Sequence, residues 1–278
     1  MRAQPVERLL LGLLTLVILV WTLLPILHIF VISITPPREA FLGRLWPAEP
    51  TLANYATVLT QDDYYLSHIW LQFGNSLFIA VMSCALVLAL ATTVSFAVSR
   101  LKVKFGWVVT NLALLTYLIP AAFLAIPFYK VMATYGLLNT TWSLIIAMVI
   151  IASPYAIWVL RQYSDSIPPE LDEAARIDGA TPLQIFLLVY LPLVTPALVA
   201  TGSFAFLHAW NEYLYAFLLL SSETVQTVPV SLSYFLRVDE PVWPVVMAIS
   251  MLYSLPPVAL YYFTRRFMVS GMTAGAVK

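Results

Sequence analysis

The stretch Ser166-Ile-Pro-Pro-Glu-Leu-Asp-Glu-Ala-Ala-Arg-Ile-Asp-Gly-Ala-Thr-Pro-Leu-Gln-Ile-Phe-Leu-Leu-Val-Tyr-Leu-Pro192 is an acidic interval in an otherwise apolar chain. Its punctuation predicts a helix, a sharp turn and a second helix. Pro168 and Pro169 suit a first turn, where a missing N–H costs little, and Glu170, Asp172 and Glu173 suit the positive end of the helix dipole. Gly179 fits the left-handed position that ends a helix. Thr181-Pro182-Leu183-Gln184 then restarts one, with Thr as cap, Pro at the first position and Gln in capping-box spacing.

The helical period places Leu171, Ala174, Ala175 and Asp178 on one face of the first helix. Two alanines at its centre allow another backbone to come close, and Glu173 and Arg176 remain available for polar contacts. This face reads as a docking surface. On the second helix, Leu183, Phe186, Leu187 and Tyr190 form an apolar face expected to pack against neighbouring helices, so that a push on the first helix is carried inward.

Outward from this stretch the chain becomes a membrane protein. Of its 278 residues 61% are hydrophobic and 10% charged, against roughly a quarter charged in a soluble domain. Mean hydropathy is +0.88. The 14 basic and 14 acidic residues balance, with no basic patch, which excludes a nucleic-acid-binding protein. Cys84, the only cysteine, excludes an internal disulfide, and no metal site is expected.

A membrane-spanning helix needs roughly 20 apolar residues. Charge-free intervals run from Leu9 to Pro37, Tyr64 to Ser99, Phe105 to Tyr129, Val131 to Leu160, Gly179 to Asn211 and Pro241 to Thr264. They predict an all-α fold of six spans, at about 9–33, 70–99, 107–130, 137–160, 193–220 and 242–264, in a single domain with a polar loop at 161–192. The first run exceeds the 7 to 15 residues of a signal-peptide core and reads as a span. With the N-terminus inside, the inner segments hold Arg2, Arg8, Arg100, Lys102, Lys104, Arg161, Arg176, Arg265, Arg266 and Lys278, and the outer ones Arg38, Arg44, Lys130 and Arg237. That excess places both termini, and the 161–192 loop, in the cytoplasm.

The run Glu173-Ala174-Ala175, Gly179 and Val189-Tyr190-Leu191-Pro192 resembles the EAA motif of permease subunits of binding-protein-dependent ABC importers, where Ile usually stands at the position of Val189. Asp178-Gly179-Ala180 and Trp210-Asn211-Glu212-Tyr213 resemble the carbohydrate branch, the MalG-like permeases, and the likeness covers nearly the whole chain. The resemblance implies a type I importer permease of a bacterial or archaeal cytoplasmic membrane, not itself an enzyme. It implies a MalF-like second permease, two ATPase subunits holding ATP and Mg, an extracytoplasmic solute-binding protein and a sugar-like solute. It assigns ATPase coupling to Glu173, Ala174, Ala175, Asp178 and Gly179, and a second ATPase contact to the tail Gly271–Lys278.

Trp210, Asn211, Glu212 and Tyr213 are the candidates for the pore or solute path. Glu212 falls inside the expected fifth span, where a charge costs about 2.5–3.5 kcal/mol, and reads either as a pore residue or as a structural hydrogen-bond partner. Adjacent helical residues do not share a face, so the four do not all meet one ligand. His28, His68 and His208 read as ordinary polar or interfacial residues, and Ser83, Cys84, Thr92, Thr93 and Ser95 as helix-packing residues. An ion-coupled secondary transporter is the alternative. It usually carries several intramembrane ionisable groups and internal repeats, whereas this chain offers Glu212 alone. An intramembrane serine protease fails because Ser203 and His208 lie on different helical faces.

Overall fold

The computed structural model describes residues 5–40, 42–235 and 242–274. The expectations for Arg2, Arg237, Lys278 and the end of the C-terminal tail lie outside the described residues. The helices are α1 (Pro5–Ser33), α2 (Ala53–Thr60), α3 (Ile69–Ser99), α4 (Gly106–Leu115), α5 (Ala121–Thr134), α6 (Thr141–Asp165), α7 (Glu170–Ile177), α8 (Pro182–Gln184), α9 (Leu191–Trp210), α10 (Leu214–Leu219), α11 (Val228–Phe235) and α12 (Trp243–Ala274). A π-helical segment, Ile185–Tyr190, joins α8 to α9, so the backbone is helical without a break from Pro182 to Trp210.

Among the described residues five helices are long and apolar enough to cross a membrane: α1, α3, α6, the helix Pro182–Trp210, and α12. A sixth span results if α4 and α5 count as one bent pair. The sequence predicts a single helix over 107–130. Instead the chain bends by 103° between the two. Proline is the physical reason. It pushes the residue before it out of the helical region, and Ile119 (ψ 118°) and Pro120 (ψ 128°) are both extended.

The fifth span also differs from the expected 193–220. It begins within the polar loop and ends at Trp210, so Glu212 lies in a break between α9 and α10. Pro192 does not start this helix. Its ring removes a donor and crowds the carbonyl four residues back, and the wider π turn lies immediately ahead of it. Pro25, Pro127, Pro154, Pro196, Pro256 and Pro257 all sit within helices.

The chain divides into two compact units, one of residues 1–69 with 232–255, the other of residues 70–231 with 256–278. In the first, the end of α1 is fastened to α2. Asn54 is buried and donates to the carbonyls of Ser33 and Thr35 at 2.8 and 2.9 Å, while Ser33 shares a hydrogen bond with Tyr55 at 2.7 Å.

The second unit is built on small residues that let backbones approach. Val87 and Ala91 of α3, Ala152, Ala156 and Leu160 of α6, and Ala197 and Ala205 of α9 form its core. A Cβ at Gly202 would lie 3.0 Å from Leu88 and 3.5 Å from Cys84, whose thiol donates to the Gly202 carbonyl. Ser83, Thr92 and Ser95 are buried, whereas Thr93 is exposed and bonds back to its own helix at Ala89. At one end of this unit the loop after α10 is held by polar side chains. The Asn139 side chain accepts from the N–H groups of Ser221 and Ser222, and Asn75 donates to the carbonyls of Thr224 and Gln226.

Candidate functional site

The polar loop folds as its punctuation predicts, except that α7 begins at Glu170, so Pro169 is its N-cap and Pro168 lies outside it rather than in the first turn. Glu170, Asp172 and Glu173 occupy the first turn of α7. Gly179 ends it at φ +84°. The Thr181–Gln184 capping box is complete, with the Gln184 side chain accepting from the Thr181 N–H at 2.8 Å. A Cβ on Gly179 would meet nothing within 4 Å. Gly179→Ala is therefore expected to cost only the backbone strain of the left-handed conformation, about 1–2 kcal/mol, read as a lower unfolding midpoint of the purified complex.

Two faces of α7 have opposite fates. Asp172 is buried and Ala175 half-buried, facing the rest of the unit. Leu171, Glu173, Ala174, Ile177 and Asp178 are exposed, with 87% of the Ile177 surface uncovered. Of the predicted coupling residues, Glu173, Ala174 and Asp178 thus lie on the free face with Gly179 at its end, and Ala175 turns partly inward. Ile177 joins them, an apolar side chain held out at the tip of a short acidic helix.

The inward face rests on a cluster of Phe96 from α3 with Ile185, Tyr190 and Val194. Here the π segment revises the expected apolar face. At α-helical spacing Leu183, Phe186, Leu187 and Tyr190 would line up, but a π turn brings residues five apart into register. Ile185 and Tyr190 are accordingly buried, with Phe186 beside them, while Leu183 and Leu187 are exposed. Tyr190 packs against both Phe96 and Phe186, at ring distances of 5.1 and 5.9 Å, and its hydroxyl shares hydrogen bonds with Ser95 and Ser164, each at 2.6 Å.

An ion pair closes the same junction. Arg100, just beyond α3, lies 3.2 Å from the Asp172 carboxylate, and the two side chains are 6% and 8% exposed. The Arg100 guanidinium also donates to the carbonyls of Ser164 and Ile167, both at 3.2 Å. Neither residue stands out in the sequence. Only the three-residue offset of Asp172 from Ala175, the alanine that turns inward, places it on that face.

The second candidate group behaves differently. Trp210 is buried and stacks on Phe206, whereas Asn211 and Tyr213 are exposed. The Glu212 carboxylate accepts from the N–H of Tyr215 at 2.8 Å and so caps the first turn of α10. One helical turn apart, Phe204 and His208 share a face that leads to Glu212, opposite the Phe206–Trp210 face. Tyr155 of α6 lies 4.6 Å from the Phe204 ring, Tyr117 lies 6.1 Å from Tyr155, and His208 is parallel to Phe204 at 5.9 Å. The Nε2 atom of His208 has no hydrogen-bond partner among the described residues. This half-buried strip of aromatic faces ends in a carboxylate. Its members are spread over three elements in the sequence, and i, i+4 spacing of Phe204, His208 and Glu212 was the one signal for it.

A family model described as "Binding-protein-dependent transport system inner membrane component" matches residues 89–269. The inner membrane ABC transporter permease protein YcjP of Escherichia coli K12 is 34% identical over 263 residues, covering 94% of this chain and 92% of that protein. The trehalose/maltose transport system permease protein MalG of Thermococcus litoralis is 31% identical over 280 residues, covering 100% and 99%. Among solved structures, a chain of a bacterial ABC transporter involved in import of the acidic polysaccharide alginate superposes with a TM-score of 0.82 at 26% identity, covering 96% of this chain and 98% of that one.

Proposed function

From the premise that the chain belongs to the binding-protein-dependent transport system inner membrane components, as a permease subunit of an ABC importer, we propose that it carries a sugar-like solute in a pore shared with a second permease. ATP hydrolysis belongs to separate subunits. Two ATPases bind on the α7 side, which is the cytoplasmic side, with both termini there. A solute-binding protein delivers to the opposite side, where the loop after α10 is fastened by Asn75 and Asn139.

The observation that carries this reading is the division of α7 into a fixed face and a free one. Glu173, Ala174, Ile177 and Asp178 are left uncovered on a helix whose other side is locked by a buried ion pair. A short helix fixed in this way is a rigid plug for a cleft in another protein. Closure of the ATPases on ATP would then displace it as a unit.

Disaccharide and oligosaccharide relatives support a sugar-like solute, among them the trehalose transport permease SugB of Mycobacterium tuberculosis, 31% identical. The strip Tyr155, Phe204, His208 and Glu212 has the matching chemistry. Aromatic faces pack against the C–H faces of a pyranose, and an imidazole nitrogen and a carboxylate bond its hydroxyls. Phe204→Ala and His208→Ala are expected to raise the half-saturating concentration of loaded binding protein for uptake about tenfold, with the affinity of that protein for its solute unchanged. Unaltered uptake kinetics in both variants would place the solute path elsewhere.

A further inference from the structure

The links of α7 to its neighbours in sequence, residues 166–169 and 178–181, tie it to α6 and to the helix Pro182–Trp210. Helix α3 has no such connection. It reaches α7 through the apolar cluster around Phe96, against which Ala175 packs, and through Arg100, whose backbone N–H still bonds the Phe96 carbonyl at 2.9 Å, continuing the helix of α3. One guanidinium group therefore joins three parts of the chain: Asp172 on α7, the carbonyls of Ser164 and Ile167 at the end of α6, and its own helix α3. Tyr190 repeats the pattern one turn away, sharing hydrogen bonds with Ser95 of α3 and Ser164 of α6.

We propose that the buried Arg100–Asp172 pair is a strap that carries displacement of α7 to α3, so that these two are positioning residues for translocation. The proposal rests on the reading of α7 as the ATPase-docking helix. The geometry suits transmission better than adhesion. Buried ion pairs contribute little net stability relative to well-packed apolar residues, because desolvation offsets their attraction. The hydrogen bonds of the guanidinium are, however, directional. When Asp172 moves, a paired guanidinium with three acceptors follows it, whereas an apolar contact slides. Asp172 faces the interior while Glu173, about 100° further round the helix, is exposed, so removing the pair leaves the exposed side chains of α7 in place.

The test uses the complete importer in proteoliposomes, with both permeases, both ATPases and the loaded binding protein, measuring ATP hydrolysed and solute moved. Asp172→Asn strands a buried cation and carries a folding risk. The double replacement Arg100→Met with Asp172→Leu keeps the volume without charge and removes that risk. In both variants the ATPases are expected to co-purify at wild-type stoichiometry and hydrolyse ATP, while solute moved per ATP falls about tenfold. Arg100→Lys, which keeps a cation opposite Asp172, is expected to restore most of that ratio. An assembled apolar double variant moving solute at the wild-type ratio overturns the strap. Loss of the ATPases from both Asp172→Asn and the double variant overturns it too, since the pair would then serve docking. Absence of ATP-dependent uptake by the wild-type complex refutes the functional reading instead.

Discussion

Glu173→Lys is expected to strip the ATPase subunits from the purified complex while leaving the permease folded. Glu173 is exposed among the described residues and lies in the first turn of α7, near the positive end of the dipole. That placement contributes about 0.3–1 kcal/mol, too little to threaten the fold. Under the proposed docking role the charge acts outward. Set against a basic group in a desolvated cleft, a reversed charge costs about 2–5 kcal/mol, roughly 30-fold to several-thousand-fold in affinity. Glu173→Gln removes the attraction without adding repulsion and should fall between. Subunit stoichiometry after a moderate salt wash checks the prediction. Wild-type stoichiometry in both variants would take the docking role away from this face.

Tyr190→Ala is expected to have the largest effect on stability, and Tyr190→Phe a much smaller one. Tyr190 is 1% exposed and packs against two phenylalanine rings. Truncating a buried aromatic side chain typically costs about 3–5 kcal/mol, from lost contacts and the cavity left behind. Phenylalanine keeps the ring and removes only the hydroxyl. Ser95 and Ser164 each retain a carbonyl partner, Thr92 at 3.2 Å and Leu160 at 2.7 Å, so neither serine is stranded. The expected cost is about 1 kcal/mol. Thermal unfolding of the purified complex separates the two variants. Equal, small shifts would show that the cluster relaxes around the missing ring.

The features written locally in the sequence were legible there. Thr181 and Gln184 form the predicted capping box, Gly179 takes the left-handed conformation, and Glu170, Asp172 and Glu173 fill the first turn of α7. Each is decided within three or four residues. What was not legible depends on distant parts of the chain. The π turn at Ile185–Tyr190 shifts the helical period, so Leu183 and Leu187 leave the buried face and Ile185 enters it. Asp172 carried no mark separating it from the acids beside it, because its role depends on Arg100, far away in the sequence. Glu212 looked like a charge within a span because its surroundings are apolar. Its carboxylate instead stands in a helix break and caps α10. His208 looked ordinary until α6 brought Tyr155 against Phe204, one turn away from it.

The source of energy for uptake separates an ABC importer from an ion-coupled transporter in one measurement. The complete complex is reconstituted in proteoliposomes with the solute-loaded binding protein outside and ATP inside. Accumulation of labelled solute is then followed with the ion gradients collapsed by ionophores, and separately with ATP depleted. An ABC importer permease predicts uptake that persists without ion gradients, stops without ATP and is accompanied by ATP hydrolysis stimulated by the loaded binding protein. Uptake that survives ATP depletion and ends with the ion gradient would contradict it.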